Sequence, residues 1–390
     1  MGSQALVLIT DASPSINSST SREVFDLVNE FKQQNHSLFL IYPCVNHIDR
    51  YSSDDESITC RPIFYKSKNL KLRFVSEIYI SLCLSIKILF YRKKIKTKNI
   101  LCISPSIFLV FPSLLLKKIN RGFLYLMLRD MFPCWLVDAG IIKKESLIFI
   151  FLKKIADLQM RSADRIGVES EKSKSIFLDR YPSCIRKAEV LLNWITTAPV
   201  KRRSTGKTKL KLIYAGSIGQ AQGVKFFKAL LMHLRNNNQV DICLVGRGNR
   251  LNEIQNFVID NSISNFQLLP QVASKNFDDF LRGFDIGLFF LNPDLRASNI
   301  PGKFMSYVMN GLPVLGAVNQ DNELISMVSE NRLGYLDSSG KVDKFLYFSD
   351  ILISEVREGK FDSVAIRERS SEFFSTQNAV KQLSNIGGVK

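Results

Sequence analysis

The stretch Leu210-Lys-Leu-Ile-Tyr-Ala-Gly-Ser-Ile-Gly-Gln-Ala-Gln-Gly223 governs how the rest of the chain is read. Leu210–Ala215 is a short apolar run, too brief for a helix and of the kind a buried parallel strand needs. Gly216-Ser-Ile-Gly219 then turns the chain, and the spacing predicts a helix over 223–236. Strand, glycine turn and helix make one β–α unit. Glycines at such a junction let backbone N–H groups approach an anion, and the helix N-terminus adds partial positive charge. A plain tight turn carries the same residues. The arrangement recurs where the strand Val240–Val245 runs into Val245-Gly-Arg-Gly248, with Arg247 adding a formal charge between Gly246 and Gly248. Two glycine-rich strand ends on one edge of a sheet face one ligand, and this convergence says more than either loop.

Working outward, the alternation continues as helix 250–261, strand Phe266–Leu269, helix 275–282, strand Ile286–Leu291, helix 301–310 and strand Pro313–Gly316. The first half has the same texture. Ala5–Ile9 and Ser37–Tyr42 read as strands enclosing a helix near 21–35, with further strands at Ile100–Ile103, Gly122–Leu128 and Arg165–Val168. Between the halves, 195–209 is polar, basic and broken by Pro199 and Gly206, the composition of a linker. The expected organisation is an α/β first domain over 1–194, a linker over 195–209 and a second α/β domain over 210–367. Two such halves place a ligand in the cleft between them.

The densest motif is Asn299-Ile-Pro-Gly-Lys-Phe-Met-Ser-Tyr-Val-Met-Asn-Gly-Leu-Pro-Val-Leu315. Pro301 suits the first turn of a helix, Gly302 allows close backbone approach, and Gly311 with Pro313 ends the helix. Lys303 falls in the first turn, where a cation opposes the helix dipole unless an anion neutralises both. A phosphate would do so, and a plain surface lysine is the other reading. In the first half, Leu128-Arg-Asp-Met-Phe-Pro133 sets Arg129 and Asp130 at the end of an apolar run, either as reactive groups at a strand end or as a structural ion pair. The acidic run Asp54-Asp-Glu56 reads as a solvated loop. The chain has no D-x-D metal motif, nucleophile elbow or Walker loop.

The chain has 390 residues, with 46% apolar and 23% charged, which excludes a disordered or fibrous protein. Lys and Arg number 53 against 36 acids, a formal charge of +17 that points to an anionic partner. Residues 66–161 hold 19 of the cations and only five acids. There the apolar run Ile78–Tyr91 is followed by Arg92-Lys-Lys-Ile-Lys-Thr-Lys98, a mixture that suits an anionic membrane surface. A buried helix flanked by solvated lysines is the alternative, and nucleic acid is disfavoured because no recognition motif accompanies the charge. The uncharged run Asn99–Leu116 spans 18 residues, but Pro105 and Pro112 interrupt it, so a strand running into a loop is expected and not a membrane span. No signal peptide is expected at the N-terminus. Seven scattered cysteines without a C-x-x-C pair, and only three histidines, fit a reducing cytoplasm without zinc or disulfides.

Through these motifs the chain resembles the GT-B glycosyltransferases of family 4, the group 1 transferases, over most of its length. Tyr214-Ala-Gly-Ser-Ile-Gly-Gln-Ala-Gln-Gly223 resembles the glycine loop that opens that family's donor domain. Asp285-Ile-Gly-Leu-Phe-Phe-Leu291 is similar to its D-v-g-l strand, and Pro301–Val314 to its P-S-K-x-x-E-Y-x-x-x-G-x-P-V signature. Glu368–Ile386, with Phe373-Phe374, resembles the terminal helix that crosses back to the first domain. A narrower resemblance is to bacterial L-fucosamine (2-acetamido-2,6-dideoxy-L-galactose) transferases. It rests on Leu128-Arg-Asp-Met-Phe-Pro-Cys-Trp135, Leu191-Leu-Asn-Trp194, Asn299-Ile-Pro-Gly-Lys303 and Val318-Asn-Gln-Asp-Asn-Glu-Leu324. The chain also departs from the family. Ser298 and Ser306 stand where the family has paired glutamates, and a hydroxyl holds a ribose more weakly than a carboxylate does. Thr10-Asp-Ala-Ser-Pro-Ser replaces its first glycine-rich loop, and its catalytic histidine aligns near Arg129–Asp130.

The resemblance implies two Rossmann-like domains facing across a cleft and a retaining transfer that needs no metal or cofactor. It implies a UDP-sugar donor, such as an N-acetyl-deoxyhexosamine of the L-fucosamine type. Donor contacts would come from Gly216, Ser217, Gly219, Gln222, Gly223, Gly246, Arg247, Gly248, Ser298, Asn299, Pro301, Gly302, Ser306 and Asn322. Lys303 would stabilise the leaving diphosphate. Asp130 would steady the developing sugar cation or orient the acceptor, with Arg129 anchoring it or binding acceptor phosphate. The implied acceptor is a polyprenyl-diphosphate-linked saccharide of O-antigen or capsule assembly. It would be met at the inner face of the plasma membrane by Arg92, Lys93, Lys94, Lys96, Lys117 and Lys118. Two rivals remain: a sugar-nucleotide 2-epimerase of the same architecture, and a basic membrane-binding scaffold without enzymatic activity.

Overall fold

A computed structural model of the protein describes residues 4–13, 19–45, 57–65, 67, 69–104, 106–138, 140–200, 209–219, 222–273, 276–292, 300–384 and 386. The chain divides into two compact units, one of residues 1–193 with 376–390 and the other of residues 194–375.

The first unit is built on a seven-stranded, all-parallel sheet in the order β3-β2-β1-β4-β5-β6-β7. Its strands are β1 (Gln4–Thr10), β2 (Ser37–Pro43), β3 (Ser57–Cys60), β4 (Asn99–Ser104), β5 (Phe123–Leu128), β6 (Arg165–Val168) and β7 (Ala188–Val190). The crossovers carry α1 (Ser19–Gln33), α2 (Leu70–Tyr91), α3 (Val110–Asn120), α4 (Cys134–Asp138), α5 (Leu147–Ser162) and α6 (Glu171–Arg180). The central strands are buried on both faces, as parallel strands covered by helices must be. Val7, Ile9, Phe39, Ile41, Ile100 and Leu126 meet Ile80, Leu84 and Ile88 of α2 in one core. The uncharged run 99–116 is therefore divided between β4, a single turn at Ile107–Leu109, and α3.

The second unit has a six-stranded parallel sheet in the order β10-β9-β8-β11-β12-β13. In chain order it runs β8 (Leu210–Ser217), α7 (Val224–Leu234), β9 (Val240–Arg247), α8 (Leu251–Asp260), β10 (Phe266–Leu269), α9 (Phe277–Leu281), β11 (Ile286–Phe290), α10 (Gly302–Met309), β12 (Val314–Ala317), α11 (Leu324–Glu330), β13 (Gly334–Asp337), α12 (Val342–Arg357) and α13 (Ser363–Phe374). This is the doubly wound order in which the connection reverses between the first and fourth strands, here β8 and β11. Tyr214 of β8 stacks on Phe290 of β11 at 5.8 Å, and Phe227 of α7 lies 5.8 Å from Phe290, so aromatic packing fills the layer beside the reversal point.

The expected crossing helix over 368–386 is two helices. α13 belongs to the second unit, the chain leaves helical geometry at Ser375, and α14 (Thr376–Ser384) packs on α1 of the first. A bridge from Ile195 to Ser375 and the buried Phe374 hold this junction. The start of the expected linker is likewise tied down: Ile195 is buried, and Thr197 donates to the carbonyl of Met309 at 3.0 Å. Residues 201–208 of that linker, and the acidic run 54–56, lie outside the described residues.

Candidate functional site

In the second unit the candidate site lies at the reversal point, where β8 and β11 stop pairing after Tyr214 and Leu288 while β8 continues beside β9 and β11 beside β12, the kind of place where such sheets bind ligands. Helix α10 is fixed there by Tyr307. Gly287 of β11 has no Cβ to obstruct the Tyr307 ring, whose atoms lie 2.4 Å from where one would stand. The ring therefore rests on the sheet, and its hydroxyl accepts the backbone N–H of Ala215, on β8, at 2.7 Å. This anchorage sets the first turn of α10 over the end of β8. There Lys303 Cε comes within 3.3 Å of the Cβ position of Gly216. Lys303 Nζ donates to the hydroxyl of Tyr214 at 2.7 Å and sits 4.1 Å from the centre of that ring. The Tyr214 hydroxyl in turn donates to the carbonyl of Ser217 at 2.9 Å.

Among the described residues no carboxylate pairs with Lys303. The side chain keeps some solvent access, yet protein crowds its ammonium, and burial drops its pKa from the usual lysine value to about 7. A cation held at a helix N-terminus, against the dipole and without a counter-ion, is an arrangement completed by an anion. Pro301 stands at the N-cap and the helix begins at Gly302, which opens on free space.

The glycine loop is more occupied than its sequence suggests. The N–H of Ile218 donates to Arg247 O at 2.9 Å and that of Gly219 to the side-chain oxygen of Gln222 at 2.8 Å, so Gln222 braces the loop and both amides are spent. Gly223 caps α7. Ser217, Arg247 and Gly248 are exposed at the strand ends. A Cβ at Gly246 would stand 1.9 Å from Gly216 O, so Gly246→Ala should cost about 1–3 kcal/mol through overpacking, seen as a lower midpoint in thermal denaturation. Asn322, expected among the donor contacts, is buried and committed: its amide nitrogen donates to Asn319 at 2.9 Å and its oxygen accepts Leu324 N–H at 3.1 Å. Ser306 is buried on α10. Ser298 and Asn299 lie outside the described residues.

In the first unit, Arg129 is neither a partner of Asp130 nor an open phosphate anchor. At the end of β5 its guanidinium is gripped on every side. It bonds Glu23 of α1 at 2.5 and 3.1 Å, pairs with Glu169 after β6 at 3.3 Å, and donates to Asn193 after β7. Burial pushes the Glu23 carboxyl up to about 7 even against the adjacent guanidinium. Glu23 and Glu169 carry no local sequence signal, and Asn193 stands out only as part of Leu191-Leu-Asn-Trp194; the fold brings all three to Arg129.

Asp130 is exposed to solvent at its surface but surrounded by protein. That burial, with the nearby carboxylates of Glu169 and Glu77, pushes its pKa up to about 6 against the pull of the Phe132 N–H and Arg73. Around the same sheet edge, Glu77 of α2 bonds Arg73 at 2.8 Å and accepts the Ser106 hydroxyl at 2.8 Å, while Tyr65 donates to Asp11 O at 3.0 Å. Of the basic residues expected at a membrane, Arg92, Lys93, Lys94, Lys96 and Lys118 are exposed. Lys117 is spent internally, on Asp164 at 2.7 Å and the carbonyl of Ser162 at 2.8 Å.

No family model matches the chain. Among curated proteins it is similar to the probable glycosyltransferase WbjE of Pseudomonas aeruginosa, 22% identical over 223 residues, which is 54% of this chain and 54% of that protein. The chain thus spans about half the length of the curated relative it matches. Among solved structures it is similar to a variant of S. aureus TarM in complex with fondaparinux, α-GlcNAc-glycerol and UDP, with TM-score 0.65 and 11% identity over 97% of this chain and 99% of that one. Anabaena HepE in complex with UDP gives TM-score 0.67 and 11% identity over 97% and 98%. WaaG, a glycosyltransferase involved in lipopolysaccharide biosynthesis, gives 0.64 and 10% over 98% and 100%. Likeness at such identities speaks for the backbone, and it extends over both sheets: the chain carries the GT-B fold, two Rossmann-like α/β domains.

Proposed function

We propose that the protein is a retaining glycosyltransferase that moves a hexosyl group from a UDP-sugar to a polyprenyl-diphosphate-linked saccharide, in the assembly of a bacterial surface polysaccharide. The observation that carries this reading is Lys303, a cation without a carboxylate partner among the described residues, set at a helix N-terminus beside Gly216 at the reversal point. A nucleotide diphosphate supplies the missing charge. Support comes from the UDP complexes among the solved structures of like fold and from the glycosyltransferase name of the curated relative. The narrower motifs Asn299–Lys303 and Leu191–Trp194 favour an N-acetyl-deoxyhexosamine of the L-fucosamine type as donor sugar.

In this reading the leaving diphosphate is stabilised by donors already in place. These are Lys303, the first N–H groups of α10 and the exposed guanidinium of Arg247, and none of them has to reorganise as charge develops. They do the work that a divalent cation does in other transferases, so transfer proceeds without metal. In the first unit Asp130 orients the acceptor hydroxyl and accepts its proton, which requires the ionised carboxylate. Turnover should therefore rise with pH through about 6, the value to which its carboxyl is pushed. In Asp130→Asn the rate should fall about a hundredfold and lose that rise, as a pH–rate profile would read. The acceptor lipid places the enzyme on the cytoplasmic face of the plasma membrane.

The deciding experiment incubates a panel of UDP-sugars with polyprenyl-diphosphate-linked monosaccharides and reads product mass. One donor should yield a product one sugar heavier. No product with any donor, together with no affinity for UDP, would overturn the reading in favour of a basic scaffold.

A further inference from the structure

Helix α2 carries apolar side chains on two opposite sides, and the core of the unit uses only one of them. Ser76, Ile80, Leu84 and Ile88, at helical spacing, face the sheet and are buried. On the opposite side Leu82, Ile86 and Phe90 are 58%, 54% and 81% exposed. Helices of soluble domains that leave an apolar face this wide to water mark a docking surface. A neighbouring helix repeats the pattern. α5 buries Phe149, Leu152 and Ile155 but leaves Leu147, Ile148 and Phe151 at 84%, 61% and 56% exposure. The two helices share one small core: Phe74 of α2 joins Phe108, Leu152, Ile155 and Ala156, and meets Phe108 edge-on at 6.4 Å.

The exposed charges flanking these faces are mostly cationic. α2 ends in the exposed Arg92, Lys93 and Lys94, and α5 is preceded by the exposed Lys143 and Lys144, with Glu145 the carboxylate beside them. The acid within α2, Glu77, is turned inward to Arg73 and Ser106, and Asp157 of α5 is taken by Lys153.

By length and mean hydropathy (1.6), the segment Lys71–Lys94 suffices to cross a bilayer. Topology forbids that use in this fold. α2 joins β3 to β4, and both strands lie in one parallel sheet, so a helix spanning the membrane would put them on opposite sides of it. Lys87 also tethers the helix to the sheet layer through Thr59 O at 2.6 Å.

We propose that the outer faces of α2 and α5 form one docking platform for an anionic phospholipid bilayer, lying on it with the apolar side chains in the interface and the lysines at the headgroups. Apolar side chains framed by cations match that surface in both hydrophobicity and charge. The inference stands independently of the sugar-transfer reading and adds to it, since it fixes which side of the first unit meets a lipid-linked acceptor.

The test is flotation of the full chain with vesicles of phosphatidylglycerol and phosphatidylcholine in equal parts, beside vesicles of phosphatidylcholine alone. The protein should float with the mixed vesicles and more weakly with the neutral ones. The triple substitution Leu82→Ser, Ile86→Ser and Phe90→Ser should lower partitioning by at least about tenfold, because several buried CH₂ groups are lost from the interface. Leu147→Ser with Ile148→Ser should lower it independently, and Arg92→Gln, Lys93→Gln and Lys94→Gln should erase the preference for the anionic lipid. All these positions are exposed, so circular dichroism and thermal midpoints should match the parent. Unchanged flotation of both serine variants would overturn the proposal. So would a parent that ignores vesicles and sediments as a dimer which the serine variants dissociate, for that would make the face a protein interface.

Discussion

Lys303→Ala is expected to reduce sugar transfer by about 100- to 1,000-fold, the usual loss when one fixed donor to a developing oxyanion is removed. It should also weaken UDP-sugar binding, read by calorimetry with UDP-N-acetylglucosamine as the probe. Lys303→Arg should recover little: the pocket between Gly216 and the Tyr214 ring is filled by a slim side chain ending in a point charge, and a planar fork has different geometry. The pH dependence follows from the pKa of about 7. Only the ammonium attracts the diphosphate, so binding should be strongest below about pH 7 and weaken above it, and in Lys303→Met this dependence should vanish. Stability moves the other way. Between about 7 and the unfolded lysine value of about 10.4, the unfolded chain holds a proton that the native chain has released, so native stability rises with pH across that window. Lys303→Met removes the slope and should leave the fold at least as stable at neutral pH. Near-normal turnover in a folded Lys303→Ala variant would sink the assignment.

The partner of Lys303 was beyond the reach of sequence reading, although Lys303 itself was not. Its place follows from local chemistry: Pro301 and Gly302 before it, a helix after it, Gly311 closing that helix with φ of 71°. Tyr214, which accepts its hydrogen bond, lies 89 residues away at the head of the glycine loop, and nothing local ties it to Lys303. The same division runs through the fold. Strands that are continuous apolar runs declare themselves, as β1, β4, β8 and β11 do. β7 has three residues and β3 and β13 four each, and they exist because a neighbour offers a ladder edge, which no local pattern records. For α2, membrane contact and burial stood as alternatives. The helix buries one apolar face in the core and leaves another open to solvent, and periodicity cannot separate two faces of like composition. The glycine loop misled in the opposite sense. Its composition suggests open N–H donors, whereas Gln222 and the carbonyl of Arg247 already occupy two of them.

Arg129→Ala is expected to destabilise the first unit by about 3–5 kcal/mol, the cost of leaving buried charges unpaired. Its guanidinium is 14% exposed and the two carboxylates it joins, Glu23 and Glu169, are each 8% exposed, so water cannot take its place. For a unit of this size that loss lowers the thermal midpoint by about ten degrees or more. The penalty should depend on pH with a definite sign. Glu23 already has its pKa raised to about 7, so between the unfolded carboxylate value of about 4.3 and that point the native state holds the extra proton and stability falls as pH rises. Without Arg129 the carboxyl loses its counter-charge and moves higher still, so the variant should be hurt less at acid pH than at alkaline pH. Replacing the set together, Arg129→Met with Glu23→Gln and Glu169→Gln, should restore much of the lost stability, because no buried charge then lacks a partner. Activity separates this role from phosphate binding. If Arg129 held acceptor phosphate, Arg129→Ala would stay folded with a raised acceptor KM. If it is the strut that joins α1, β5 and the segments after β6 and β7, the triple variant should regain turnover along with its midpoint, since Asp130 would again be held at the edge of the sheet.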